Sequence, residues 1–180
     1  FADLLHRLGD IPPDRIRLVP PPGTATKRDL VRPENTLCEL VDGTLVEKTV
    51  GVEESFLAMF LSMRLNEWIV KHNLGFVTGE SGIYELPSGS FRGPDIAFTA
   101  WSGLNGRKRP EDPYPLLAPD LVVEVFGRSN SKREMEIKRE EYFRGGVRLL
   151  WEIDPRKRSF RVYTSLGEFH DLEPDGTIRG

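Results

Sequence analysis

The chain has 180 residues, 38% hydrophobic and 29% charged, with a net charge of −3. That length suits one domain with a single core, the acidic balance gives no bulk attraction for nucleic acid, and no apolar run reaches the roughly eighteen residues of a membrane span. One cysteine, Cys38, rules out an internal disulfide and, with only three scattered histidines, leaves zinc without its usual ligands and a Ser/His/Asp or Cys/His mechanism without support.

The opening FADLLHRLGD reads as a short helix over 1–8, ended by Gly9. It has no basic n-region and no apolar h-region, so no secretory signal and a cytoplasmic setting are expected. IPPDRIRLVPPPGTAT is a proline-rich arm, too poor in backbone donors to join a sheet. Thr26 is placed to cap a short helix over 27–32. LCELVDGTLVEKTV is a hairpin, two alternating strands around Asp42-Gly43, a turn that tolerates positive φ. In VEESFLAMFLSMRLNEWIVKH, Leu57, Phe60, Leu61, Leu65, Trp68 and Ile69 recur at helical spacing, with Glu53 and Glu54 in the first turn where the dipole favours negative charge. FVTGESGIYELPSG reads as two short strands, and a further strand runs from Asp95 to Ala100. Residues 101–118 form a loop. The apolar strand 120–126 lies mid-sheet, Ser129 to Ser131 offer caps for a helix over 132–144 closed by Gly145-Gly146, and VRLLWEIDP with SFRVYTS makes a closing strand pair. One α/β (α+β) domain follows, with residues 1–35 as N-terminal helix and arm and 36–180 as the main body.

Two acids stand out because water is scarce around them. Glu124 sits in PDLVVEVF, sharing a strand face with Val122 and Phe126; an ionised carboxylate there needs a basic partner or a cation. Asp95 follows Pro94 at a strand entry, which is also ordinary turn chemistry. If the two strands are neighbours, the pair offers hard oxygen ligands suited to Mg²⁺ or Mn²⁺, which could activate water at a phosphate. Met135, Lys138 and Tyr142 share one helical face, so Lys138 either snorkels outward or reaches the acids. Glu54 is a fourth candidate. Glu39 and Glu47, on the hairpin, could approach the same place, but strand alternation explains them adequately. Three basic clusters, 107–109, 128–133 and 156–158, are consistent with solvated loops.

Taken in order, CELVDGTLVEK, GPDIAF, PDLVVEVFGRSNSKREMEIKREEYFRGGVRLLWEIDP and FRVYTS resemble the Uma2 family (domain of unknown function 820), within the PD-(D/E)XK restriction-endonuclease-like superfamily. The resemblance implies a restriction-endonuclease-like core, a mixed sheet flanked by helices. It matches Asp95 to the PD aspartate and Glu124 to the acid of the (D/E)XK half. The superfamily lysine is replaced by Phe126, and Lys138 takes its place. Glu54 falls where many members carry histidine. The implied activity is Mg²⁺-dependent DNA cleavage by a homodimer. Asp95, Glu124, Glu54 and the Val125 carbonyl would hold the ion, Lys138 would orient or deprotonate water, and Arg128, Lys132 and Arg133 would steer the phosphate backbone. A binding or assembly module that kept the fold without the chemistry is the alternative. A glycosidase-like use of the two carboxylates is a third reading, for which no aromatic sugar platform is evident.

Overall fold

Asp42 and Gly43 both take positive φ, 48° and 64°, and so reverse the chain in two residues between β1 (Cys38–Val41) and β2 (Thr44–Glu47). The computed structural model describes residues 1–49 and 51–173. In it the hairpin belongs to a four-stranded sheet of order β2-β1-β5-β4, where β4 is Tyr84–Glu85 and β5 is Phe91–Arg92. Cys38 and Leu40 turn one way, into a cluster with Leu30, Leu45, Ile83 and Phe91. Val41 turns the other way and meets Leu8, Ile11, Ile16 and Val46. The N-terminal helix α1 (Ala2–Arg7) and the proline-rich arm therefore serve as a cover for the hairpin. The cap expected at Thr26 takes the form of a capping box, on a helix α2 (Lys27–Leu30) two residues shorter than expected: Asp29 accepts from the Thr26 backbone N–H at 2.9 Å.

The main sheet has six strands, in the order β10-β9-β8-β7-β6-β3. β3 is Gly75–Gly79, β6 is Ile96–Ala100, β7 is Leu121–Val125, β8 is Leu149–Asp154, β9 is Ser159–Tyr163 and β10 is Phe169–Asp171. Among the strands of the described residues only β7 and β8 pair in parallel, and the helix between them, α4 (Lys132–Gly145), is their crossover. α4 covers one face of the sheet, where Val122, Leu150, Tyr142 and Tyr163 meet. The long helix α3 (Val52–Lys71) covers the other, packing Leu57, Ala58, Leu61 and Leu65 against Val123, Val125, Trp151 and Ile153. Val122 and Val123 are fully buried, each contributing roughly 1.5–3 kcal/mol of transfer free energy. The mixed, helix-flanked sheet expected from the sequence is thus found. The second sheet, with β5 completing it, and the edge strand β10 were not foreseen, and the loop 101–118 contains two short 3-10 turns at Trp101–Gly103 and Asn105–Arg107.

Ser131 caps α4 by accepting from the Glu134 N–H at 2.9 Å, and Gly146, at φ 106°, ends it in the left-handed region. Gly43 is more constrained than Gly146. A Cβ on Gly43 would come within 2.6 Å of the Gly23 carbonyl oxygen of the arm, whereas one on Gly146 would meet Ala118 at an ordinary 3.6 Å. Gly146→Ala is therefore expected to lose only the left-handed backbone preference, about 1–2 kcal/mol. Gly43→Ala should lose that and displace the arm as well, so its melting temperature should fall further. Equal melting temperatures would contradict the packing of the arm on the turn.

Candidate active site

β6 and β7 run antiparallel, with Ile96 opposite Val123 and Ala97 opposite Val122. Asp95 immediately precedes Ile96 and Glu124 immediately follows Val123, so the two acids lie at the same end of this strand pair. The Glu124 side chain is directed toward α4, and both acids line one small pocket. Glu124 is 3% exposed. Its Oε1 accepts from Tyr142 Oη at 2.6 Å and its Oε2 from Lys138 Nζ at 3.3 Å. Met135, Lys138 and Tyr142 are all buried, so the face they share does turn to the sheet and Lys138 reaches inward. Asp95 accepts from the Val125 N–H through Oδ2 at 2.7 Å and from Lys48 Nζ through Oδ1 at 3.2 Å. Each acid thus already has a lysine beside it.

Glu39 is the residue that strand alternation did not explain. It is wholly buried, on β1, with Lys138 Nζ 3.2 Å from its Oε1. The Gly93 N–H donates to the same oxygen at 3.1 Å, and Arg92 Nη1 donates to Oε2 at 2.9 Å. Arg92 in turn gives Nε to Glu141 at 2.6 Å. Lys138 therefore bridges the two sheets, with Glu39 on one and Glu124 on the other. Glu47 points elsewhere and pairs with Arg17.

In this network four acids (Glu39, Asp95, Glu124, Glu141) face three bases (Lys48, Arg92, Lys138). The surplus negative charge falls on Glu124. Burial pushes it up to about 7 against the pull of Lys138, and the charge of Asp95 adds to the rise. Burial would also raise Glu39, but Lys138, Arg92 and Lys48 outweigh it and hold that carboxyl well below the usual range. Burial alone would discharge Lys138; Glu124 and Glu39 more than reverse this, so its ammonium is held more firmly than an ordinary lysine's. In this state Lys138 is a fixed cation and a hydrogen-bond donor.

Glu54, in the first turn of α3, lines the same small pocket as Asp95, Glu124, Val125 and Lys138. Its carboxylate folds back over Gly51 and lies near Gly127. Among the described residues no three carboxylate, histidine or cysteine side chains form a ready-made metal cage. The donors offered by Asp95, Glu124 and Glu54 are nonetheless all hard oxygens, and burial, with a smaller contribution from Asp95, raises Glu124. That combination fits a hard dication. Val125 lends its N–H to Asp95.

The three basic candidates do not share one surface. Arg128 lines a cavity with Glu53 and Glu54 at the start of α3. Lys132 lines a different cavity, with Arg139, Glu152, Arg161 and Tyr163. Arg133 turns to α1, donating to the His6 carbonyl at 3.2 Å. The loop that carries Arg128 is held instead by Arg15 of the arm. Arg15 is 3% exposed, forms a two-pronged bond to Glu134 at 2.8 and 2.9 Å, and donates to the Ser129 carbonyl at 3.3 Å. Asn130 completes the clasp, donating to Glu134 at 3.0 Å and accepting from the Gly127 N–H at 2.8 Å.

The model of the Uma2 family, described as "Putative restriction endonuclease", matches residues 27–176. The chain belongs to the Uma2 family. Among solved structures this Uma2 chain is similar to one from Anabaena variabilis, described as "a putative nuclease belonging to DUF820", with a TM-score of 0.70 and 20% identity over 79% of this chain and 80% of that one. The likeness establishes the nuclease-like fold of the Uma2 protein. No curated protein matches it. No helix among its described residues is long and apolar enough to cross a membrane.

Proposed function

We propose that this Uma2 protein is a metal-dependent endonuclease that hydrolyses phosphodiester bonds in DNA. The observation that supports it most is Asp95 and Glu124 at the same end of two adjacent strands, lining one pocket with Glu54 and Lys138. Asp95 and Glu124 would hold Mg²⁺ or Mn²⁺, with Glu54 and the Val125 carbonyl as further oxygen donors. When bound, the ion supplies Lewis-acid polarisation of the phosphoryl group and lowers the pKa of a water molecule. Lys138 directs its ammonium toward the pocket, where it orients water and offsets negative charge on phosphorus-bound oxygens. Tyr142 and Glu39 fix that ammonium and the Glu124 carboxylate in place. Arg128, on the rim, attracts the phosphate backbone, with Lys132 and Arg133 contributing from the flanks of α4; binding should weaken steeply with salt. Cutting both strands of a duplex needs two such pockets, which a homodimer supplies, and a cytoplasmic setting gives access to that substrate.

A second reading, a binding or assembly module without chemistry, is favoured by the lysine already beside each acid. The two are separated by incubating supercoiled DNA with the protein and Mg²⁺ or Mn²⁺. Metal-dependent nicking is expected; no nicking with either ion, together with no ion binding by calorimetry, would establish the silent module. A pH dependence should accompany binding. Glu124 holds a proton below about 7 in the metal-free protein, and an ion needs the carboxylate. Ion binding a unit below that value should release a proton, seen as heats that vary with the buffer, and affinity should fall as pH drops. Heats independent of the buffer would remove Glu124 from the ion.

A further inference from the structure

α3 has two apolar faces, and only one is used. Leu57, Ala58, Leu61 and Leu65 pack on the sheet. On the opposite side Val52, Phe56, Met59, Met63 and Val70 are 89, 71, 62, 64 and 66% exposed. Their spacing alternates between four and three residues, and Asn66, also exposed, occupies the one remaining step. This is the a/d spacing of a coiled-coil seam, whereas a helix that simply faces water carries polar residues there.

We infer that this stripe pairs with the same stripe of a second copy of the chain, the two α3 helices lying parallel about a two-fold axis. Phe56, Met63 and Val70 take the a positions and Val52, Met59 and Asn66 the d positions. Glu53, Phe60 and Glu67 then flank the seam on one side, and Ser55 and Ser62 on the other. In the parallel arrangement each flank meets the opposite flank of the other copy, which sets Ser62 against Glu67 and Ser55 against Phe60. The antiparallel arrangement sets Glu53 against Glu67 of the other copy, two like charges. Asn66 meets itself across the axis only in the parallel register, where the two amides can exchange hydrogen bonds. A lipid surface is a poorer occupant. Glu53, Glu54 and Glu67 outnumber Arg64 and Lys71 on this helix, so anionic headgroups are repelled.

The sheet already holds α3 in helical form, so pairing does not have to nucleate it. Twenty residues give a seam about 30 Å long. One helix pair of that length falls short of the roughly 1,200 Å² of a standard stable interface, so the dimer should dissociate reversibly on dilution. The pairing stands independently of the nuclease reading. Taken with it, a parallel axis brings both candidate pockets to the same end of the dimer, because Glu54 lies in the first turn of α3.

Sedimentation equilibrium over a range of concentrations tests the pairing. The wild-type chain should show a reversible monomer–dimer equilibrium, and the double variant Met59→Glu/Met63→Glu should stay monomeric with an unchanged melting temperature, since both side chains are exposed. Met63→Cys tests the register. Mild oxidation by dissolved oxygen should link the two copies through a disulfide, while the native Cys38, 1% exposed, stays out of the reaction. A wild-type chain monomeric up to its solubility limit, or a dimer that survives the double substitution, would overturn the inference, and a dimeric Met63→Cys protein that does not cross-link would overturn the parallel register. Ion binding by calorimetry should be the same in the double variant as in wild type, so either proposal can fail without the other.

Discussion

Glu39→Ala is expected to destabilise the protein by about 3–5 kcal/mol, the usual result of removing one member of a buried ion pair. At this chain length that corresponds to a fall in melting temperature of about 10 °C. The cause is specific. Glu39 is wholly buried and is in contact with Lys138 and with Arg92, while the Gly93 N–H also relies on it. Alanine leaves two cations and an amide in a dry interior with less to bind. Glu47, on the partner strand of the same hairpin, is the control. Its carboxylate is 38% exposed and pairs with an exposed Arg17, so Glu47→Ala should change stability by less than about 1 kcal/mol. Glu39→Gln, whose one amide oxygen can keep the bond from either Arg92 or Gly93 but not from both, should fall between. Equal losses for Glu39→Ala and Glu47→Ala in denaturant titrations would show that the bridge between the sheets contributes nothing to stability.

Asp95→Asn and Glu124→Gln should each reduce DNA cleavage by at least about a thousandfold, the scale of losing a group that stabilises charge in the transition state. Both replacements are nearly isosteric, so circular dichroism should report an intact fold. The double variant carries the sharper information. If both carboxylates serve one ion, removing the second after the first should do little more, because groups that act as a unit are not additive. Multiplicative losses would mean that the two acids act separately and that a shared ion is the wrong picture. Lys138→Met is expected to lower the rate and also the melting temperature, because it strips the buried Glu39 and Glu124 of the cation they share.

The elements legible in the sequence were those whose pattern is local. α3 and α4 announced themselves by helical spacing and caps, the hairpin by Asp42-Gly43, and β7 by its run of valines. The pairing of β6 with β7 is not written in the sequence: two acids in apolar strands pose one problem only if the strands are neighbours, and the ladder supplies that condition. Glu39 was misjudged for a definite reason. Alternation explains an acid on a strand with one wet face, but β1 lies between β2 and β5 with all four of its residues buried. Nothing in CELV tells a two-sided strand from a one-sided one. Lys48 and Arg15 were missed because their partners lie 47 and 119 positions away, beyond any periodic signal. Arg128, Lys132 and Arg133 are neighbours in sequence, but they lie on a loop and a helix start that turn them three ways, which sequence proximity alone does not reveal.

The clasp between Arg15 and Glu134 bears on where the folding unit starts. The family match opens at residue 27, twelve positions past this arginine. A recombinant fragment cut at that boundary would retain Glu134 in a water-free niche with its main counter-charge deleted, and would give up the apolar lid of Leu8, Ile11 and Ile16 as well. Whoever trims the gene to its recognisable portion should anticipate insoluble material and trace it to the missing prolines and their arginine, since the segment that homology ignores is the one that latches the loop leading into α4.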